Sequence, residues 1–119
     1  MKLIITGRTP SKKNSRINTR SGRSFPSKKY QEWHNEATWQ IMKYRPTEPI
    51  RKAEMTITIF FPDLRRSDLS NKAESIMDLL VDNRFIEDDN HEVVPKMTLV
   101  SGGIDRKEPR CEINIDIIA

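Results

Sequence analysis

Apolar and polar positions alternate along several short stretches of the chain. "KLIIT" at 2–6 reads as a short strand, "AEMTITIFFP" at 53–62 as the clearest one, and "CEINIDII" at 111–118 as the last. In the second, Met55, Ile57 and Ile59 alternate with Thr56 and Thr58. "EVVPKMTLVSG" at 92–102 reads as a strand too, but its proline makes it an edge strand or a bulged one. Elsewhere the period lengthens. From Ser27, a suitable helix cap, to Tyr44, the residues Tyr30, Trp33, Ala37, Ile41 and Tyr44 fall on one helical face. That stripe is better read as core-facing than as a stacking platform. "RPTEP" ends it. From Leu69 to Asn83 a second helix is expected. Leu69, Ala73, Ile76 and Leu80 fall at i, i+4, i+7 and i+11, with Met77 and Leu79 beside them and Asn83 suited to a left-handed end.

Between the first strand and the first helix lies "GRTPSKKNSRINTRSGRSFPSKK", rich in Ser, Thr, Asn, Gly and Pro. It reads as a long loop, basic over residues 8–26 and expected to be mobile without substrate. "GGIDRKEPR" reads as a second loop. The order β, loop, α, β, α, β, β predicts a mixed α/β (α+β) fold. It has a small mixed sheet and two main helices on one of its faces. With 119 residues the chain is expected to be one domain spanning 1–119.

Composition adds a charge pattern. Charged residues are 32% and hydrophobic ones 35%, polar for a globular domain but too apolar for general disorder. The net charge of +4 conceals an asymmetry. Residues 1–31 hold nine bases and no acid, whereas residues 63–92 hold nine acids and four bases. A basic arm beside an acidic centre suggests a polyanion held by one and a cation by the other. A solvated loop and an acidic surface helix would give the same pattern. The single cysteine, Cys111, excludes an intramolecular disulfide and fits a reducing compartment. The start is too soon interrupted for a signal peptide, and no apolar run reaches membrane-spanning length, so a cytoplasmic protein is expected. One Cys with His34 and His91 makes no zinc set, and no glycine-rich nucleotide-binding loop is present. His91 reads as a surface residue after a turn.

The acids carry the chemistry. Asn71, Glu74, Ser75, Asp78 and Asp82 are expected opposite the apolar stripe of the second helix, with Asp68 and Lys72 at its edge near the helix start. Alone, Asp68 reads as a helix cap. The run Glu87, Asp88, Asp89 changes that reading. Adjacent acids repel one another, and sharing a divalent cation with Asp68 relieves them. Mg²⁺ takes oxygen ligands, commonly one or two carboxylates plus water and phosphate oxygens, and it activates water against a phosphodiester. A basic arm that neutralises flanking phosphates is the natural companion.

"FPDLRRSDLSNKAESIMDLLVDNRFIEDD" resembles the core of the RusA-like Holliday-junction resolvases. An apolar residue, Pro-Asp, arginines, Asp-Leu-x-Asn, a helix with an internal Asp and a closing Asp-Asp occur in order. "GRTPSKKNSR" is similar to the family's N-terminal segment. The resemblance covers most of the chain and is most specific over 60–95. It implies a Mg²⁺-dependent homodimer, with Mn²⁺ a possible substitute, that resolves four-way DNA junctions by paired nicks in recombination and repair. It also implies a phage or prophage origin, and neither a membrane nor a nucleotide cofactor. The resemblance implies Asp68, Asp89 and Asn71 as catalytic candidates and Asp68, Asp88 and Asp89 as metal ligands, to which Lys72 (catalytic) and Glu74 (metal) are added as replacements for missing family residues. Asp78 matches the helix aspartate. Arg8, Lys12, Lys13, Asn14, Arg16, Arg65 and Arg66 are the DNA-binding candidates. Two positions depart from the pattern. Ser70 stands where the family has a second aspartate, and Glu74 where it has a lysine. In one repair Glu74 supplies the missing carboxylate and Lys72 the missing charge. The alternatives are a non-catalytic module that binds branched DNA and a small structural protein with a basic tail.

Overall fold

The periodicities resolve into a sheet with both helices on one face. The computed structural model describes residues 1–12, 16–18, 20–22 and 24–118. In chain order the elements are β1 (Lys2–Thr6), β2 (Arg16–Asn18), β3 (Ser24–Pro26), α1 (Lys28–Ile41), β4 (Ala53–Phe61), α2 (Leu69–Asp82), β5 (Lys96–Ile104) and β6 (Arg110–Ile117). The main sheet runs β1-β6-β4-β5. β6 is antiparallel to both its neighbours, while β5 is parallel to β4, with α2 lying between them in the chain. Alternation puts Leu3 and Ile5, Met55, Ile57 and Ile59, and Cys111, Ile113 and Ile115 on the covered face. They form one core with Trp33, Ala37 and Ile41 of α1 and Ala73, Ile76, Met77, Leu79 and Leu80 of α2. The mixed sheet, the two helices and their one-sided placement are as the pattern predicted.

Four local readings change. The long loop contains a hairpin, β2 against β3, with Ile17 opposite Phe25. Turn residues dominate the composition there and mask two strands of three residues each. The third long strand is shifted: Pro95, which has no N–H for a ladder, stands just before β5, and the strand continues through Gly102 and Gly103 to Ile104. β5 is an edge strand, as its proline suggested. Tyr44 is 48% exposed, because α1 tightens after Ile41 into a 3₁₀ turn that takes Tyr44 off the stripe. The left-handed residue after α2 is Arg84, at φ 60°, and not Asn83. The closing bonds Phe85 N–H to Leu80 O and Arg84 N–H to Val81 O place that position one residue later. The Asn83 amide instead donates to Leu79 O and Thr38 Oγ1. Ser27 does cap α1, accepting from Tyr30 N–H at 3.2 Å.

On the uncovered face Phe60 fixes a local fit. A Cβ on Gly102 would stand 2.6 Å from the Phe60 ring, and the Arg110 guanidinium lies 3.8 Å from the ring centroid. The ring therefore has glycine on one side and a cation on the other. Arg110 is in turn held by Asp105 and Glu112, whose carboxyls are lowered: Asp105 by the Glu108 N–H and then Arg110, Glu112 mainly by Arg110. Gly102→Ala is expected to destabilise the protein by about 1–3 kcal/mol, because the ring must leave its stack. Thermal melting of the variant checks this, and an unchanged midpoint would show that the ring moves freely. Cys111 is fully buried, and burial pushes its thiol up to about 12. A thiol reagent at neutral pH is accordingly expected to modify it only when denaturant is present.

Candidate nucleic-acid interface and active site

The start of the basic arm is strapped across α2. Gly7 N–H bonds Pro109 O as the chain leaves β1. The Lys72 ammonium then donates to Thr9 O at 2.5 Å, and the Ser75 hydroxyl donates to Pro10 O at 2.8 Å. Lys12 N–H reaches Asn71 O at 3.3 Å. Lys72 and Ser75 are therefore buried, although Ser75 was expected on the outer face of the helix. Both lie on the side of Ile76 and Leu79, where a polar side chain is stable once its partner is found. Burial, and after it the nearby Arg8, holds the Lys72 ammonium below the usual lysine range, with Asp63 pulling the other way. The Phe61 ring centroid is 5.8 Å from it.

This strap separates two clefts. The larger, of about 930 Å³, is basic: among the described residues Arg8, Lys29, Arg65, Arg66 and Lys72 line it with a single carboxylate, Asp68. Asp68 stands at the N-cap of α2, but its carboxylate caps no N–H; it accepts from the Asn71 amide at 3.2 Å. Asp63 gathers the arginines, accepting from Arg65 N–H at 3.0 Å and pairing with Arg65 Nη2 at 3.1 Å and Arg8 Nη1 at 3.5 Å. The smaller cleft, of about 420 Å³, is acidic: Glu74, Asp78 and Asp89 line it with Ser70 and Lys12. The Lys12 ammonium lies 2.6 Å from Asp78. Its affinity for a proton is raised, first by the bond to Asp78, with Glu74 and Asp89 adding to this.

The sequence candidates are thus divided between the two. Asp68, Asn71, Lys72, Arg8, Arg65 and Arg66 meet at the basic cleft, while Glu74, Asp89 and Lys12 meet at the acidic one. Asp88 organises the turn before β5, accepting from Asp89 N–H at 2.8 Å and from the Asn90 amide at 3.2 Å. Arg16 opens β2, and Lys13 and Asn14 lie outside the described residues. Glu74 shares its cleft with Ser70, as the suggested repair requires, but Lys72 does not; Lys12 brings the positive charge there instead. The carboxylate oxygens have the chemistry of a hard-cation site. Among the described residues, however, no three acidic, His or Cys side chains come together as a ready metal cage. Sequence reasoning passed over Lys29, Trp33 and the organising Asp63. Trp33 was hidden in the core stripe of α1, and the Asp63-x-Arg65 spacing was the available signal for the arginine clamp.

Removing one strap tests this geometry. Ser75→Ala leaves Pro10 O without its donor and is expected to cost about 1–2 kcal/mol. Urea denaturation measures the loss, and wild-type stability would show that the arm is not held by α2.

Among the described residues no helix is long and apolar enough to cross a membrane. The chain was compared with known proteins. No curated protein matches it significantly. The family model described as Endodeoxyribonuclease RusA matches residues 7–116, from the residue that leaves β1 to the penultimate residue of β6. That span contains the strap, both clefts and every sequence candidate, and the chain belongs to the RusA endodeoxyribonuclease family.

Proposed function

We propose that the protein is a divalent-metal-dependent endonuclease that resolves four-way DNA junctions by paired nicks. The observation that carries this is the position of Asp68. Among the described residues it is the sole carboxylate lining a cleft with five cations, and an asparagine one helical turn on holds it in place. Family membership supports the nuclease activity. Arg8, Arg65, Arg66 and Lys29 bind the phosphates of a strand lying along the cleft. Asp63 orients Arg8 and Arg65 before the strand arrives, which lessens the ordering cost of binding. Asn71 fixes the Asp68 carboxylate, which holds or accepts a proton of the attacking water. The Lys72 ammonium, tied to Thr9 O, contributes a fixed positive field against the charge that develops on the phosphate. Mg²⁺, or Mn²⁺, held by Asp68 or by Glu74 and Asp89, would supply water activation and charge neutralisation. A homodimer suits a junction of near two-fold symmetry, since each copy offers one site to one strand.

Cleavage of a labelled four-way junction with Mg²⁺ tests the reading. Wild-type protein is expected to make paired nicks, and Asp68→Asn to cut about 100-fold to 10,000-fold more slowly while still binding the junction. An Asp68→Asn variant that cuts at the wild-type rate would remove Asp68 from the mechanism. Tight junction binding without cutting by the wild type would make the protein a non-catalytic binder of branched DNA.

A further inference from the structure

The basic cleft has features that a simple track for a strand does not need. Its cations come from four places in the chain: Arg8 after β1, Lys29 in the first turn of α1, Arg65 and Arg66 before α2, and Lys72 within it. Asp63 takes up Arg8 and Arg65, but Lys29 and Arg66 make no ion pair among the described residues. α2 begins in this cleft, and the carboxylate of its N-cap residue Asp68 makes no hydrogen bond to the first-turn N–H groups. Two buried polar groups on the cleft lining are also unsatisfied. The Trp33 side chain is more than nine-tenths buried, and among the described residues its indole N–H has no acceptor and the Ser11 hydroxyl no partner. Buried donors without acceptors are uncommon and carry a free-energy cost. Among the described residues the Lys29 ammonium and the Arg66 guanidinium lack the same thing: an anionic oxygen partner.

A tetrahedral oxyanion with several oxygens answers donors that arrive from several directions, and arginine engages such a group through two N–H bonds. We infer that this cleft is a discrete phosphate-binding site that takes one phosphate group directly, without a branched substrate and without metal. The inference rests on the nucleic-acid reading for its biological ligand, but it concerns binding alone. A strand terminus and an internal phosphodiester present the same anionic oxygens, and the test below distinguishes them.

The two tryptophans provide the readout. Trp33 lines the cleft, and Trp39, 81% exposed, lies outside its lining and serves as control. Their indole N–H signals are followed by NMR as inorganic phosphate is added to the full chain, with sodium chloride at matched ionic strength as blank. A saturable shift confined to Trp33 is expected with phosphate only. Arg66→Glu and Lys29→Glu, both surface changes checked for folding by the remaining signals, are expected to weaken it at least about 10-fold. A Trp33 signal that does not move, or that moves with chloride and in step with Trp39, would overturn the site. So would full affinity in both charge reversals. Short single strands with a 5′-phosphate or a 5′-hydroxyl then identify the source. Tighter binding of the phosphorylated strand assigns the site to strand ends, and equal binding assigns it to the internal backbone. A protein that cuts junctions but shows no phosphate-dependent Trp33 shift would sink this inference alone. A protein that binds phosphate but never cuts would sink the nuclease reading alone.

Discussion

Two hydrogen bonds from the buried side of a helix organise this molecule. Lys72 and Ser75 interrupt the apolar surface of α2 and hold the carbonyls of Thr9 and Pro10. Neither side chain would be tolerated there without an acceptor, and neither carbonyl could leave water without a donor. Each half of the contact makes the other possible. Its result is that the arm leaving β1 must pass over α2 before it reaches the hairpin. That path puts Arg8 on one side of the helix and Lys12 on the other. The separation of basic from acidic surface therefore follows from local hydrogen bonding and not from long-range charge alone.

The same geometry explains why a basic protein gathers acids along one segment. Asp68 faces a concentration of positive charge at the head of α2, where anions are electrostatically favoured. Glu74, Asp78 and Asp89 surround a cleft that contains its own ammonium ion, from Lys12. Neither carboxylate group is left as an uncompensated cluster. The two departures from the family pattern also fall into one cleft, since Ser70 and Glu74 both line the acidic side together with Lys12. The ammonium group in that cleft comes from a residue more than fifty positions away.

Much of this was legible before any coordinates. Alternation located β1, β4 and β6 to within a residue, because one covered face enforces a period of two. The stripe Leu69, Ala73, Ile76 and Leu80 gave α2 nearly to its ends, and Pro95 marked β5 as an edge. What was not legible depended on partners distant in sequence. Ser75 looked like a surface residue because its acceptor lies 65 positions earlier. Trp33 looked like core, which it is, yet its ring also forms part of a cleft wall. The hairpin of β2 and β3 was too short to show a period. The site residues were found as a set from their types and spacing, but their division between two clefts required knowing which face of α2 the arm crosses.

The sheet order has a consequence for the time course of folding. β6 comes latest of the described strands, yet it lies between β1 and β4 and supplies both with their antiparallel partner. During synthesis β1 emerges early and has no sheet neighbour until more than a hundred further residues have been added. A nascent chain can assemble β4, α2 and β5 as a local parallel unit, but the central register waits for the final segment. The start of the arm, whose first residues hang from β1, cannot settle across α2 until then. Both clefts should thus mature together, in one late event, and a ribosome-bound precursor would carry the acids and bases of the site without their spatial separation.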